Sequence, residues 1–291
     1  MKKQYLGIIG LALLTGACSS DSPVGPVPGP QDVTLHLGIS DVIFVRGGSQ
    51  QGGLDNMVGK NLTFTAVVAT TEETPVAVYA ESKTVTIEAG KMPDVNFTAQ
   101  LVPGVEYQVI AYANFADSNA PTIPESATPE QYLQALGAIS CSYSLNNEAQ
   151  DSYSGTMTFT TSGNAVDLNL TRACAKIRVV NTGTELPAGT TLSGELGNAF
   201  PLSNTFSATN ATFASTELQT STLASAALPS YTEEAEGEQT IAVLYVPVNG
   251  SEQSEVNLTL TLNNGTTSVT KSITSVPVKR NSLTTIRGTF D

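Results

Sequence analysis

The chain reads as an all-β protein made of tandem antiparallel β-sandwiches. Three observations predict this: apolar residues recur with period two in many short stretches, Gly, Pro, Asn and Ser clusters separate those stretches, and only one segment has helical spacing. With 291 residues, 40% of them hydrophobic, the chain is long enough for two cores at the usual ~100 to 200 residues per domain.

The first element is an export signal. Lys2 and Lys3 precede an apolar run from Tyr5 to Leu14 and then Thr15-Gly16-Ala17-Cys18, the layout of a secretory signal with small residues before the cut. At roughly ten residues the run is too short to span a bilayer. A cysteine directly after small residues resembles a bacterial lipobox, with Thr15 where an aliphatic residue is usual and Leu14 one place earlier. The resemblance implies a signal peptide over 1–17, cleavage between Ala17 and Cys18, and acylation of Cys18. An ordinary secretory signal that ends near a cysteine is the alternative. Ser19, rather than a retaining Asp, follows the cysteine, which by the same resemblance implies the outer membrane. Residues 18–32 are rich in proline and glycine and form an extended linker.

Strands follow. Val33, Leu35, Leu37 and Ile39 alternate with Thr34, His36 and Gly38, as in a strand with one buried face, and Ile43 and Val45 extend the segment. The alternation returns at Leu62–Val68, Val85–Ile87, Val105–Ala111, Val166–Leu170, Ala175–Val179, Ile241–Tyr245 and Val256–Leu262. The last of these runs into Asn263-Asn264-Gly265, which predicts a tight hairpin turn, with Val269 and Ile273 on the return strand. The helix is expected near 128–136, with Thr128 as N-cap, Pro129 at the first helical position, Gln131 completing a capping box and Gly137 as the stop. One alternating series closes at Leu170 and another opens at Ala175. This predicts a boundary near Arg172 and sandwiches over 33–171 and 172–291.

Composition excludes several functions. Acids outnumber bases 26 to 13, giving a formal charge of −13, so no basic excess exists to neutralise phosphates and nucleic-acid binding is disfavoured. With His36 as the single histidine and no tryptophan, His-dependent triads are disfavoured. Around Gly59-Lys60 a P-loop fails, because Leu54 replaces its first glycine and Asn61 its Ser or Thr. In the Gly47–Gly53 stretch, Gln51 stands where a nucleophile elbow ends in glycine. Glu233, Glu234, Glu236 and Glu238 lack the spacing of a calcium loop and read as a solvated hairpin. No cofactor, metal site or catalytic constellation is implied. For Cys141 and Cys174 a disulfide is allowed in an exported chain, and two buried free thiols are the equal alternative. His36 reads as an ordinary surface histidine.

Two segments are more specific, Leu168–Asn181 and Val276–Phe290. Leu170, Arg172, Ala175, Lys176 and Ile177 in the first, and Arg280, Asn281 and Ile286 in the second, resemble motifs of Bacteroidales fimbrillins, the subunits of type V pili. Leu283-Thr284 stand where an aromatic is common there. The resemblance implies two Greek-key, transthyretin-like sandwiches and a place in surface fimbriae of the outer membrane. It also implies cleavage by an arginine-specific protease between Arg46 and Gly47. The displaceable strand would be Val33 to Val45, including Val33, Leu35, Leu37, Ile39, Ile43 and Val45, with a strand of another fimbrillin subunit refilling its place. A plain surface arginine at a strand end is the alternative for Arg46. Shaft members extend beyond the Arg-Asn strand, whereas this sequence stops at Asp291, so a terminal or accessory role, such as anchor or tip, is expected. The implied partners are other fimbrillin subunits, the outer membrane through the lipid, and host or bacterial surface ligands. The rival expectation is a non-polymerising surface lipoprotein that binds glycan or host protein.

Overall fold

Strand formation follows from side-chain alternation, clearest at β1 (Gln31–Ile39), where buried and partly exposed residues take turns along the whole element. Val33, Leu35, Leu37 and Ile39 point into the core while Thr34 and His36 face outward. The computed structural model describes residues 29–40, 43–45, 54, 57–115, 118–162, 165–231, 236–250 and 252–290. The elements that follow are β2 (Ile43–Val45), β3 (Asn61–Thr70), β4 (Ala77–Thr86), β5 (Asp94–Leu101), β6 (Glu106–Phe115), α1 (Pro129–Gly137), β7 (Ile139–Ser142), β8 (Ser152–Thr160) and β9 (Ala165–Arg172). After them come β10 (Ala175–Asn181), β11 (Thr191–Ala199), β12 (Ser203–Ser207), β13 (Thr212–Phe213), β14 (Gln219–Ala227), β15 (Gln239–Val246), β16 (Ser254–Asn263), β17 (Ser268–Val278) and β18 (Ser282–Gly288).

The all-β expectation holds. Seven strands are ordered β4-β3-β6-β8-β9-β1-β5, but β8 and β9 share only Tyr153↔Arg172 and Ser154↔Thr171. The sheet therefore folds over at that corner into two layers around one core, which holds Leu35, Phe64, Phe97, Val109 and Leu170. A second core lies between β15-β10-β18-β2 and β14-β11-β16-β17. A small sheet, β13-β12-β7, joins the segment after α1 to the later strands.

Helix α1 begins as the sequence requires. The Thr128 hydroxyl accepts from the Gln131 N–H, and the Gln131 side chain accepts from the Thr128 N–H. Leu136 buries completely, in the second core, together with Val67 and Ile110 from the far side of β3 and β6. Those strands are thus covered on both faces, which explains why the β3 run is apolar beyond its alternation.

Three expectations need correction. The ladders are not all antiparallel, since β1 with β9, β10 with β18, and β18 with β2 run parallel; strands so far apart in sequence are free to align either way. The segment from Val33 to Val45 is two strands rather than one. The Ser40 N–H and hydroxyl both donate to the Leu170 carbonyl, at 3.0 and 3.1 Å, which closes the β1 ladder, and β2 then adds to the edge of β18. The hairpin after Asn263 is wider than a two-residue turn, because the ladder resumes at Ser268 and Asn264 Oδ1 accepts from the N–H groups of Thr266 and Thr267.

Candidate functional site

Strand β1 is held along both edges. It runs antiparallel to β5 from Gln31↔Leu101 to Gly38↔Asp94 and parallel to β9 from Thr34↔Ala165 to Ile39↔Leu170. Its inward side chains, Val33, Leu35, Leu37 and Ile39, are at most 5% exposed. At about 1.5 to 3 kcal/mol for each buried aliphatic side chain, the four are worth roughly 6 to 12 kcal/mol. That is comparable with the whole net stability of a typical domain. Among the described residues β5 has no ladder partner except β1. Losing β1 would leave two strands with unpaired N–H and C=O groups beside an apolar trench, and another strand is the structure that satisfies both.

The outward face of β1 carries a charge contact. His36 Nδ1 lies 3.0 Å from Asp167 Oδ1 on β9, and His36 Nε2 lies 3.2 Å from Asp94 Oδ2 on β5. One imidazole therefore ties three adjacent strands. The hydrogen bond to Asp94 and then that to Asp167 raise the histidine pKa above 6.5, with slight desolvation opposing them. The imidazolium form donates to both carboxylates. Sequence reading gave His36 no role. Its partners stand 58 and 131 residues away, and only strand register, which the residues do not encode one by one, brings them together.

The two motif segments also meet. Asn281 Oδ1 accepts from the Arg172 N–H at 3.0 Å, and the Asn281 N–H donates to the Cys174 carbonyl at 3.1 Å. Asn281 has φ +58°, a left-handed conformation that asparagine tolerates better than most side chains. Arg280 donates from Nη2 to Ser154 Oγ at 2.7 Å and from Nε to the Arg172 carbonyl at 3.3 Å. The Arg172 side chain is fully buried, with Nε 2.7 and 2.9 Å from the Asp151 oxygens and the guanidinium 5.7 Å from the Tyr153 ring centroid. These residues fasten the corner where β9 passes into β10. Lys176 is spent likewise, 2.8 Å from Glu148 Oε2.

Cys141 and Cys174 are free thiols, both buried in the second core. Burial pushes the Cys141 pKa up to about 11, and that of Cys174 higher still, so neither is a nucleophile near neutrality. Ala17, Cys18, Arg46 and Gly47 lie outside the described residues, as do Glu233 and Glu234. Glu238 of the acidic run pairs with Arg287 at 2.9 Å. Ile43 and Val45 stand in register with Ser282 and Thr284 on β18.

The model of a family of unknown function, DUF6562, matches residues 50–290. The chain belongs to this family. The matched span takes in β5 and β9, the walls beside β1, but not β1 or β2. Among solved structures, a Bacteroides ovatus protein assigned to cell adhesion is similar with a TM-score of 0.52 and 15% identity, covering 89% of this chain and 93% of that one. Weaker likenesses include a fimbrial assembly protein from Parabacteroides distasonis, with a TM-score of 0.48 and 11% identity over 89% of this chain and 91% of that one. The fimbrial anchor protein Mfa2 from Porphyromonas gingivalis has a TM-score of 0.36 and 11% identity, over 80% of this chain and 78% of that one. No curated protein matches the chain in sequence. At these identities the likeness is one of fold.

Proposed function

We propose that the protein is a non-enzymatic structural subunit of surface fimbriae that assembles by exchange of its N-terminal strand. The observation that carries this reading is the position of β1, paired along both edges and supplying four side chains to the core, yet joined to the remaining chain only through the stretch that holds Arg46 and Gly47. Cutting there leaves a strand that a competing strand can replace. The fold shared with a Bacteroides ovatus protein assigned to cell adhesion supports a place at the cell surface.

In this reading the chain is exported, cut after Ala17 and acylated at Cys18, which anchors it in the outer membrane. Residues 33–171 and 172–291 are its two sandwiches, with β2 and β7 reaching across the division. Cleavage between Arg46 and Gly47 followed by exchange of β1 discards the lipid and gives an assembled subunit, while an uncut chain serves as anchor or accessory subunit. Other fimbrillin subunits are its partners.

N-terminal sequencing and intact mass of the protein from outer membranes and from sheared surface fibres test this. A start at Gly47 in the fibres is the expected result. Protein in membranes alone, with acylated Cys18 and the Arg46–Gly47 bond intact, overturns the polymerising subunit and leaves a surface lipoprotein.

A further inference from the structure

The slot that β1 fills has an electrostatic requirement beside its apolar one. Its inner side accepts Val33, Leu35, Leu37 and Ile39 among buried side chains. On its outer side Asp94 and Asp167 converge from opposite walls onto the two nitrogens of one ring. Among the described residues, neither carboxylate has another ion-pair partner. Lys83 donates to the Asn96 carbonyl on β5 at 2.7 Å and stands 3.5 Å from Glu81, and Asp32, on β1 itself, accepts from Gln100. With β1 gone, two like charges would face each other across the gap.

We propose that the displaced β1 is replaced by an extended segment of a second polypeptide that has apolar side chains at the four inward places and a cationic side chain at the place of His36. The proposal rests on the strand-exchange reading and adds the chemistry of the incoming strand. The present occupant supplies the argument, since it places its one titratable base between the two carboxylates. A neutral residue there restores the backbone ladders but leaves the carboxylates facing each other, and an acidic one adds a third negative charge at cross-strand distance. Lysine or arginine answers both carboxylates at every physiological pH, and histidine does so while protonated. The neighbouring outward place, that of Gly38, discriminates little, because a Cβ there would meet Asn169 Oδ1 at 3.5 Å and Asp94 Cβ at 4.0 Å, ordinary contact distances.

Two experiments separate this inference from the reading beneath it. In the full chain, the thermal midpoints of His36→Lys, His36→Gln and His36→Glu should fall in that order, and adding Asp94→Asn with Asp167→Asn should abolish the order. Equal midpoints overturn the charge requirement whatever becomes of β1. In the protein cut at Arg46, freed of its N-terminal fragment in denaturant and then refolded with them, fluorescent peptides of the Gln31–Val45 sequence bearing His36→Lys, His36→Gln or His36→Glu are offered as replacements for β1. The Lys peptide should be retained about tenfold more tightly than the Glu peptide, a difference that the double Asn variant removes. Equal retention overturns the inference alone. Exclusion of every peptide, that with the native sequence included, overturns strand exchange and with it the proposed donor.

Discussion

Glu148 and His36 are both ionised partners in contacts between strands or turns, but they answer to pH in opposite senses. Burial would raise the Glu148 carboxyl. The Lys176 ammonium at 2.8 Å and hydroxyls donated by Tyr231 and Tyr245 outweigh it and hold the pKa at about 2, against an ordinary 4.5. A depressed carboxyl contributes stability that is complete above 4.5 and lost as pH falls through about 2. Denaturant titrations across that window should show the loss. Glu148→Gln should flatten it while costing about 3 kcal/mol at neutral pH, because Lys176 is left buried without its counter-charge. His36 has the raised pKa of a base with two anionic partners, so its contribution is full below 6.5 and is lost as pH rises through the higher folded value. With the ring 44% exposed, solvent screens the effect. Thermal midpoints of the wild type should fall by about 2 °C relative to His36→Gln as pH rises through that range.

At the scale of elements, β1 is an internal strand, and this sets how the proposed exchange would proceed. Cutting the chain after Arg46 removes none of the ladder bonds to β5 and β9 and none of the core contacts. The cut N-terminal fragment should therefore co-elute with the body on native gel filtration and separate only in denaturant; spontaneous loss of the fragment would contradict the burial argued for it. Elsewhere one residue limits how closely strands approach. A Cβ at Gly194 on β11 would lie 1.9 Å from the Thr259 carbonyl oxygen on β16, so Gly194→Ala should cost about 1 to 3 kcal/mol through forced separation. Its check is a lower denaturant midpoint at unchanged slope. Strands whose alternation is carried by aliphatics, such as β1, β3 and β16, were legible in the sequence, as was α1 with its capping box. β5 carries the same signal, since Phe97, Ala99 and Leu101 alternate with polar residues. β11 and β14 had little signal, being rich in Gly, Ser and Thr, and take their strand form from the partners that cover them. The break between β1 and β2 was illegible for another reason, because it depends on Ser40 meeting a carbonyl 130 residues away.

Over the whole molecule, the segment from 118 to 151 couples the two cores. It leaves the first sandwich, lays Leu136, Ile139 and Tyr143 over the outer side of β3 and β6, and passes β7 to β12 of the later strands. Asn146 ties the segment to Val243 of β15, and Asn119 ties it to β6, its carbonyl accepting from the Tyr112 hydroxyl. Sequence pattern located the helix and the change of strand series at Arg172, but not this bridging, since periodicity marks which face is apolar and not what covers it. In the proposed exchange between subunits, this bracing would hold β3 and β6, the far side of the first core, in place. The most direct test pins β1 in its slot. Thr34 and Thr98 are in register across β1 and β5, and Thr34→Cys with Thr98→Cys places two thiols at a spacing that a disulfide spans. The account predicts that the oxidised variant stays out of fibres while the same protein, once reduced, enters them; equal entry of both forms would contradict it.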